Sequence, residues 1–492
     1  MISLIRRNRQ LWTDGSESVV AEALLRAQAA QSQTDRDNWR KLHDFLRGCH
    51  YEHTSDAASA IYPERARAWN TAGGLGYRYL PAVKMYVDKL SVAMAQRIPE
   101  LELYDGRTGE PLPADDPQVG QWRDDLVAAE AKTTLPTLER WTTAMGQAVI
   151  SPTWKGDRVA WDLSPVYQVR AWQSLHDPSS FASCNAISFE VAQPVDTVGR
   201  ALPSIWSTWT REQLSDGSTS WGHYVHQTAG ALEDNPLFAD NVNGYGMFPH
   251  VLVRTGRPAP GELWIPPNEA WIAQQIGLNL AVTDMWHGAR YQIHPVAVFT
   301  GTQGEYDEAP VTGPGVGLQM PPGSSLSFVS PSLNLDEYRT LIDHDLTIGG
   351  LAESIDPTTF TSQGAYQSIA SLQLRRHDLQ IRREAVIPYY TTAIERDLWN
   401  AHRTVANYWQ TRGARRRRYE DWTRLRCIWR PLPQVVDRQA DALATELEID
   451  RGITSVVERV ADREGVDFAE AARRVQTRLA MRDQVEPATD GG

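Results

Sequence analysis

At 492 residues the chain has room for about three domain-sized units, and its balance of 41% hydrophobic to 22% charged residues is that of a folded protein with a buried core. A formal net charge of −12 argues against a general nucleic-acid binder, which is ordinarily basic. Cys49, Cys184 and Cys427 lie far apart, form no disulfide framework or zinc spacing, and suit a reducing interior.

The basic residues are nearly all Arg, with Lys only at Lys41, Lys84, Lys89, Lys132 and Lys155; a GC-rich genome accounts for that bias. The apolar start Ile2 to Ile5, followed by Arg6, Arg7 and Arg9, is too short for a signal peptide. No run approaches the ~20 apolar residues of a membrane span, and no fixed-period repeat is present.

In chain order, Val19 to Ala30 and Trp39 to Leu46 carry apolar residues at helical spacing. Tyr79 to Ile98 predicts a helix with Val83, Tyr86, Val87, Leu90, Met94 and Ile98 on one face. Pro113 to Gln121 is a polar loop, and Leu135 to Met145 a helix with Pro136 in its first turn. Ala148 to Ile150 and Val159 to Trp161 predict a hairpin that turns at Lys155-Gly156-Asp157. Val166 to Val169 predicts a further strand. Alternation in Ile187 to Val191, Ile205 to Thr210 and Trp221 to His226 predicts a twisted antiparallel sheet with one wet face. Phe248 to Val253 is one more strand.

From Pro266 to Gln380 the pattern changes. Asn268 can cap a helix after Pro266-Pro267, with Glu269 in the first turn. That helix runs from Asn268 to Gln292, about 36 Å, with Trp271, Ile272, Ile276, Leu280, Met285 and Tyr291 as its apolar stripe, and Pro295 stops it. Pro295 to Pro331 has no helical period; short strands Val296 to Phe299 and Leu326 to Val329 flank the turn-rich Gly313-Pro314-Gly315-Val316-Gly317. A second helix spans Leu335 to Ile348, with Gly349-Gly350 expected to end it. A Gly/Ser/Thr-rich loop, Gly349 to Gly364, precedes a long helix from Ala365 to about Arg403. Beyond it lie the basic run Arg412 to Arg418, a strand Leu425 to Trp429, and the breaker Pro431-Leu432-Pro433. Gln434 to Arg482 reads as three helical pieces. Asp467 with Glu470 makes a capping-box-like start for the last, and Ala471, Val475 and Leu479 form its stripe; Gln484 to Gly492 is expected to be disordered.

Catalytic and cofactor signatures are missing from the sequence: no P-loop, no H-E-x-x-H, no G-x-S-x-G. His287 and His294 lie two helical turns apart without an evident third metal ligand. Asp343, His344 and Asp345 are consecutive, so a helix turns them to different sides. No catalytic residue, cofactor or metal is assigned.

The order of parts resembles the portal proteins of tailed double-stranded DNA bacteriophages, the head-to-tail connectors, in their siphophage-like form. The resemblance covers nearly the whole chain and rests on the order of elements and loose local patterns. It implies an α+β portal fold assembling into a ring. Its parts would be a wing at 1–265, a first stem helix at 266–294, a clip at 295–333, a second stem helix at 334–349 and a tunnel loop at 350–364. The long helix and return to the wing would follow at 365–433, a helical crown at 434–483 and a tail at 484–492.

The implied function is a dodecameric ring at one capsid vertex of the virion, assembled in the host cytoplasm, through which viral DNA is packaged and ejected. Implied partners are further copies of the chain, double-stranded DNA, the terminase large subunit, a head-completion adaptor, and the major capsid and scaffolding proteins, with no membrane. The resemblance would place Ser354, Thr358, Thr359, Phe360, Thr361, Ser362 and Gln363 against DNA in the tunnel. Arg412, Arg415, Arg416, Arg417 and Arg418 are open to DNA contact or subunit contact. Arg375, Arg376, Arg382 and Arg383, interleaved with Leu372, Leu379, Ala385 and Val386, read as subunit-interface residues. Two other classes stay open: an Arg-rich helical enzyme acting on nucleic acid, with its site in the Trp-rich first half, and another virion or tail component.

Overall fold

Burial alternates along the strand Gln147–Lys155: Val149 joins one apolar cluster, while Ala148 and Ile150 join another. Successive side chains of a strand leave on opposite faces, so this strand divides two layers. The computed structural model describes residues 33–70, 76–192, 204–213, 216, 218–227, 232–233, 242–293, 296–300, 325–329, 334–355, 369–430, 449, 451, 455–464 and 468–485.

The elements begin with helices α1 (Gln33–Arg47), α2 (Tyr51–Ile61), α3 (Pro63–Asn70) and α4 (Ala82–Leu90), then strand β1 (Glu100–Asp105). Helices α5 (Pro117–Ala128) and α6 (Ala131–Met145) lead into β2 (Gln147–Lys155) and β3 (Arg158–Pro165). Strands β4 (Val169–Trp172), β5 (Ala186–Ala192), β6 (Ile205–Gln213), β7 (Thr219–Gln227), β8 (Leu232–Glu233) and β9 (Val251–Arg254) follow. Next come α7 (Glu269–Ile293), β10 (Val296–Thr300), β11 (Ser325–Val329) and α8 (Leu335–Ala352). Helix α9 (Ile369–Thr392) passes through a π-turn, Ala393–Leu398, into α10 (Trp399–Thr411), and β12 (Thr423–Ile428) follows. The last described helices are α11 (Val456–Glu464) and α12 (Phe468–Val485). Every described strand pairing is antiparallel, and the chain is α+β.

Two compact units divide it: 1–366 with 375–432, and 367–374 with 433–492. In the first, the sheet β3-β2-β9 is the divider. One layer packs Trp39, Tyr86, Trp271 and Leu346 with Val169 and Ile187 of the five-stranded sheet β4-β5-β6-β7-β8. The other packs Trp122, Leu138, Trp161, Ile394, Trp399 and Leu425. In the second unit, Ser455 and Glu458 make a reciprocal capping box at α11: Ser455 N donates to Glu458 Oε2 at 2.7 Å, and Glu458 N to Ser455 Oγ at 3.2 Å. No helix among the described residues is long and apolar enough to cross a membrane.

Several expectations need correction. The helix predicted from Tyr79 to Ile98 covers only Ala82–Leu90. Beyond it, the Glu139 carboxylate accepts the backbone N–H groups of Ala93, Met94 and Ala95 at 2.6, 2.7 and 2.6 Å, bonds a helix would have used for itself. Val166–Gln168 is a 3-10 turn, not a strand. The long helix does not stop near Arg403; it continues through the π-turn to Thr411. Strand β1 has no clear signal in the sequence, and it pairs with β12 from Glu100↔Ile428 to Asp105↔Thr423. Gly349 and Gly350 do not end α8 but sit buried within it. A Cβ on Gly349 would fall on the Gln274 amide and the Tyr86 hydroxyl, so this glycine serves close packing. Val19 to Ala30, Gly313 to Gly317 and Asp467 lie outside the described residues.

Candidate functional site

The excursion of helix, β-pair and helix is present as predicted, and its base is tied by one carboxylate. Asn268 caps α7, its Oδ1 accepting from Trp271 N at 3.2 Å. At the other end of the excursion, Glu353 follows α8. Its Oε1 accepts from Trp271 Nε1 at 2.9 Å and from Asn268 Nδ2 at 3.3 Å, and Arg382 of α9 lies 3.7 Å from its Oε2. The start of α7 is thereby joined to the end of α8, which makes the helices antiparallel. Along the pair, Gln274 Nε2 donates to Asp345 O at 2.6 Å, while Ile342 and Leu346 are buried. Strands β10 and β11 pair from Val296↔Val329 to Thr300↔Ser325.

The body grips α7 through a buried polar seam. Gln275, Asn279, Thr283 and His287 recur every fourth residue and are buried. They satisfy an extended segment, Gly76 to Pro81, and the first turn of α4 beyond it, where backbone groups have no ladder of their own. Gln275 Oε1 accepts from Val83 N at 2.9 Å and its Nε2 donates to Leu80 O at 2.6 Å. Asn279 Oδ1 accepts from Leu80 N at 3.2 Å, Thr283 Oγ1 accepts from Arg78 N at 3.0 Å, and His287 Nε2 donates to Gly76 O at 3.2 Å. His287 also stacks on Trp69, with ring centroids 5.3 Å apart, and burial lowers its pKa. His287 is thus a seam residue; His294 lies outside the described residues.

Helix α8 ends in a Schellman arrangement. Ile355 N donates to Gly350 O at 2.8 Å and Ser354 N to Leu351 O at 3.0 Å. Ser354 is left-handed, with φ 57°, and Ile355 is buried beside it. Ser354 therefore turns the chain at the end of α8. Thr358, Thr359, Phe360, Thr361, Ser362 and Gln363 lie outside the described residues.

The arginines divide by use. Arg375 and Arg376 lie on α9. Arg382 reaches Glu353 as above. Arg383 is buried in this chain, where its Nε donates to Val92 O at 3.1 Å and its guanidinium lies 5.9 Å from the Trp429 ring. Arg416 forms a buried ion pair with Asp125, whose Oδ2 also accepts from His402 Nε2 at 3.0 Å and Tyr419 Oη at 2.8 Å. Trp161 Nε1 donates to His402 Nδ1 at 3.2 Å, which puts the imidazole proton on Nε2. Burial alone would raise the Asp125 pKa, but His402 and Arg416 outweigh it and hold the carboxyl below its ordinary value.

Around that lock the loop backbone is clipped twice by amides. Arg417 N donates to Gln121 Oε1 at 2.8 Å, and Gln121 Nε2 returns a bond to Arg417 O at 3.0 Å. Tyr419 and Asn407 make the same exchange, at 2.8 Å each way. Arg412, Arg415, Arg417 and Arg418 are left exposed on a fixed backbone. Arg412 lies over Tyr408 at 4.4 Å and Arg418 is 3.4 Å from Asp421.

Sequence reasoning missed both the seam and the lock. The seam had a signal, because Gln275, Asn279, Thr283 and His287 are polar residues at a strict spacing of four along one side of the helix. The lock had none, since Asp125 is 277 residues from His402 and 291 from Arg416.

No family model matches the chain, and no curated protein matches it. Among solved structures, the chain is similar to one in the neck of an empty gene transfer agent (GTA) particle computed with C6 symmetry. The identity is 12% and the TM-score 0.42, over 81% of this chain and 95% of that one. A chain in the virion of the native gene transfer agent particle aligns at 12% identity and a TM-score of 0.41, again over 81% and 95%. A chain in the neck of the native particle computed with C12 symmetry gives 12% and 0.42, over 79% and 90%. Likeness of this size stops short of a shared fold.

Proposed function

We propose that this chain is the protomer of a portal-type ring: a conduit for double-stranded DNA at one vertex of a phage-like capsid, without covalent chemistry of its own. The observation that carries the reading is the excursion α7–β10/β11–α8, tied at its base by Glu353. An antiparallel helix pair that leaves a mixed body, carries a small β-pair and returns is suited to a stalk around a hole. A loop that departs from Ser354 at the return point is suited to reach into that hole, with Thr358 to Gln363 offering hydroxyl and amide groups to phosphates. The net charge of −12 suits a passage that must let DNA slide, since phosphate contacts supply most non-specific affinity. Closed rings form by head-to-tail contact of unlike surfaces, here with twelve copies as in the resembling family. The clip, 296–331, would be the face for the terminase large subunit and later a head-completion adaptor, and the body would face capsid and scaffolding proteins.

Electron microscopy of the purified protein tests this. Top views are expected to classify into rings with a central hole and symmetry at or near twelve-fold. Compact monomers or dimers throughout, with and without a scaffolding partner, would overturn it.

A further inference from the structure

The exposed arginines present a puzzle of cost. Arg415 and Arg417 have no ion-pair partner among the described residues, yet the backbone beneath them is fixed by two reciprocal amide clips and a buried ion pair. A fixed loop loses little conformational freedom when something docks on it.

An opposite patch lies elsewhere on the same unit. Asn38 Nδ2 donates to Glu269 Oε1 at 3.2 Å, and Trp39 packs on Trp264 with centroids 6.1 Å apart. These contacts gather the first turn of α1, the turn before Trp264 and the start of α7. Asp35, Glu262 and Glu269 come together there: burial raises the pKa of Asp35, and the charges of Glu269 and Glu262 add to it. Glu262 and Glu269 are exposed, and no described Arg or Lys forms an ion pair with either. The acidic patch belongs to the layer of α1 and α7. The arginine loop packs on α5 and α10, in the layer across the sheet β3-β2-β9. A head-to-tail contact joins two unlike surfaces of the same chain, and these two patches are unlike.

We propose that the arginine loop docks on a second copy of this chain, with Arg415 and Arg417 of one copy meeting Glu262 and Glu269 of the next. The proposal rests on the ring reading and names the surfaces that set its register. A nucleic acid fits the loop less well, because Glu420 and Asp421 are exposed in the same loop and the whole chain carries a charge of −12. Complementary charge acts mostly on register and choice of partner rather than on raw affinity. Screening over about 10 Å at 0.1 M salt should make the contact salt-sensitive.

The test is charge reversal in the full chain, read by mass photometry and electron microscopy at low and high salt, with melting curves to establish that each variant folds. Arg415→Glu with Arg417→Glu is expected to raise the protein concentration needed for rings about tenfold, and Glu262→Arg with Glu269→Arg to do the same. Combining all four is expected to restore rings near the wild-type concentration. If the wild type forms rings and the arginine variant forms them equally well, this contact is wrong while the ring stands. If the arginine variant keeps its rings but loses binding to duplex DNA, the loop belongs to nucleic acid and the proposal falls. A wild type that never associates overturns both readings.

Discussion

Along α7, neutral groups on Gln275, Asn279 and Thr283 hold a stretch of backbone; beside α5 and α10, a buried charge on Asp125 holds a loop. The seam satisfies donors and acceptors without placing any ion in the core, so each bond contributes modestly and the whole is spread over many residues. The lock concentrates three donors on one carboxylate oxygen. Desolvating Asp125 and Arg416 is expensive, and their attraction offsets that only while the geometry is kept. The seam is therefore expected to tolerate damage in pieces, and the lock to fail as a unit.

The contrast is sharpest at Asp125. Asp125→Ala strands Arg416 and His402 and is expected to cost about 3–5 kcal/mol, seen as a lower urea midpoint for the first unit. Gln275→Ala frees Leu80 and Val83 from their partners at about 1–3 kcal/mol. Hydrogen exchange should then speed up at the Val83 amide first, with the lock unchanged; exchange that rises everywhere would mean the seam is not a separable unit.

Acid separates the two arrangements by order. His287 has a lowered folded pKa, so the unfolded chain takes its proton first. Its stabilisation is complete above the ordinary value of 6.5 and declines as pH falls from there toward the folded value, by at most about 1.4 kcal/mol for each pH step of one in between. Asp125 is also lowered, but from 3.8, so its contribution persists until pH falls through its folded value below that. Exchange at Gly76 to Leu80 is expected to rise before exchange in the loop 414–420; simultaneous loss would sink this ordering. At the small end, Ser354→Gly relieves a left-handed non-glycine residue and should add about 1 kcal/mol. Arg418→Ala, which removes only an exposed pair with Asp421, should stay within about 0.5 kcal/mol. Thermal melts of the two variants check both signs.

Much of the fold was legible because it is written in local patterns. Proline and an asparagine cap bound α7, period-two alternation marks β5 to β7, and Lys155-Gly156-Asp157 turns the hairpin with Gly156 at φ 71°. Where reading failed, a distant residue had intervened. Glu139 unwound the chain after Leu90, and Gln274 with Tyr86 made Gly349 a packing residue rather than a helix stop. Strand β1 depends on β12, more than three hundred residues away.

By itself, the sequence determined the order of parts, helix then β-pair then helix, since periodicity and capping act within a few residues and need no partner. Only the tertiary structure decided which polar residues are spent inside. Arg383 and Arg416 look like their exposed neighbours in sequence, and burial beside Val92 and Asp125 is what separates them. A charge is either solvated or paired, and which of the two applies is settled by chain segments that meet only when the protein folds.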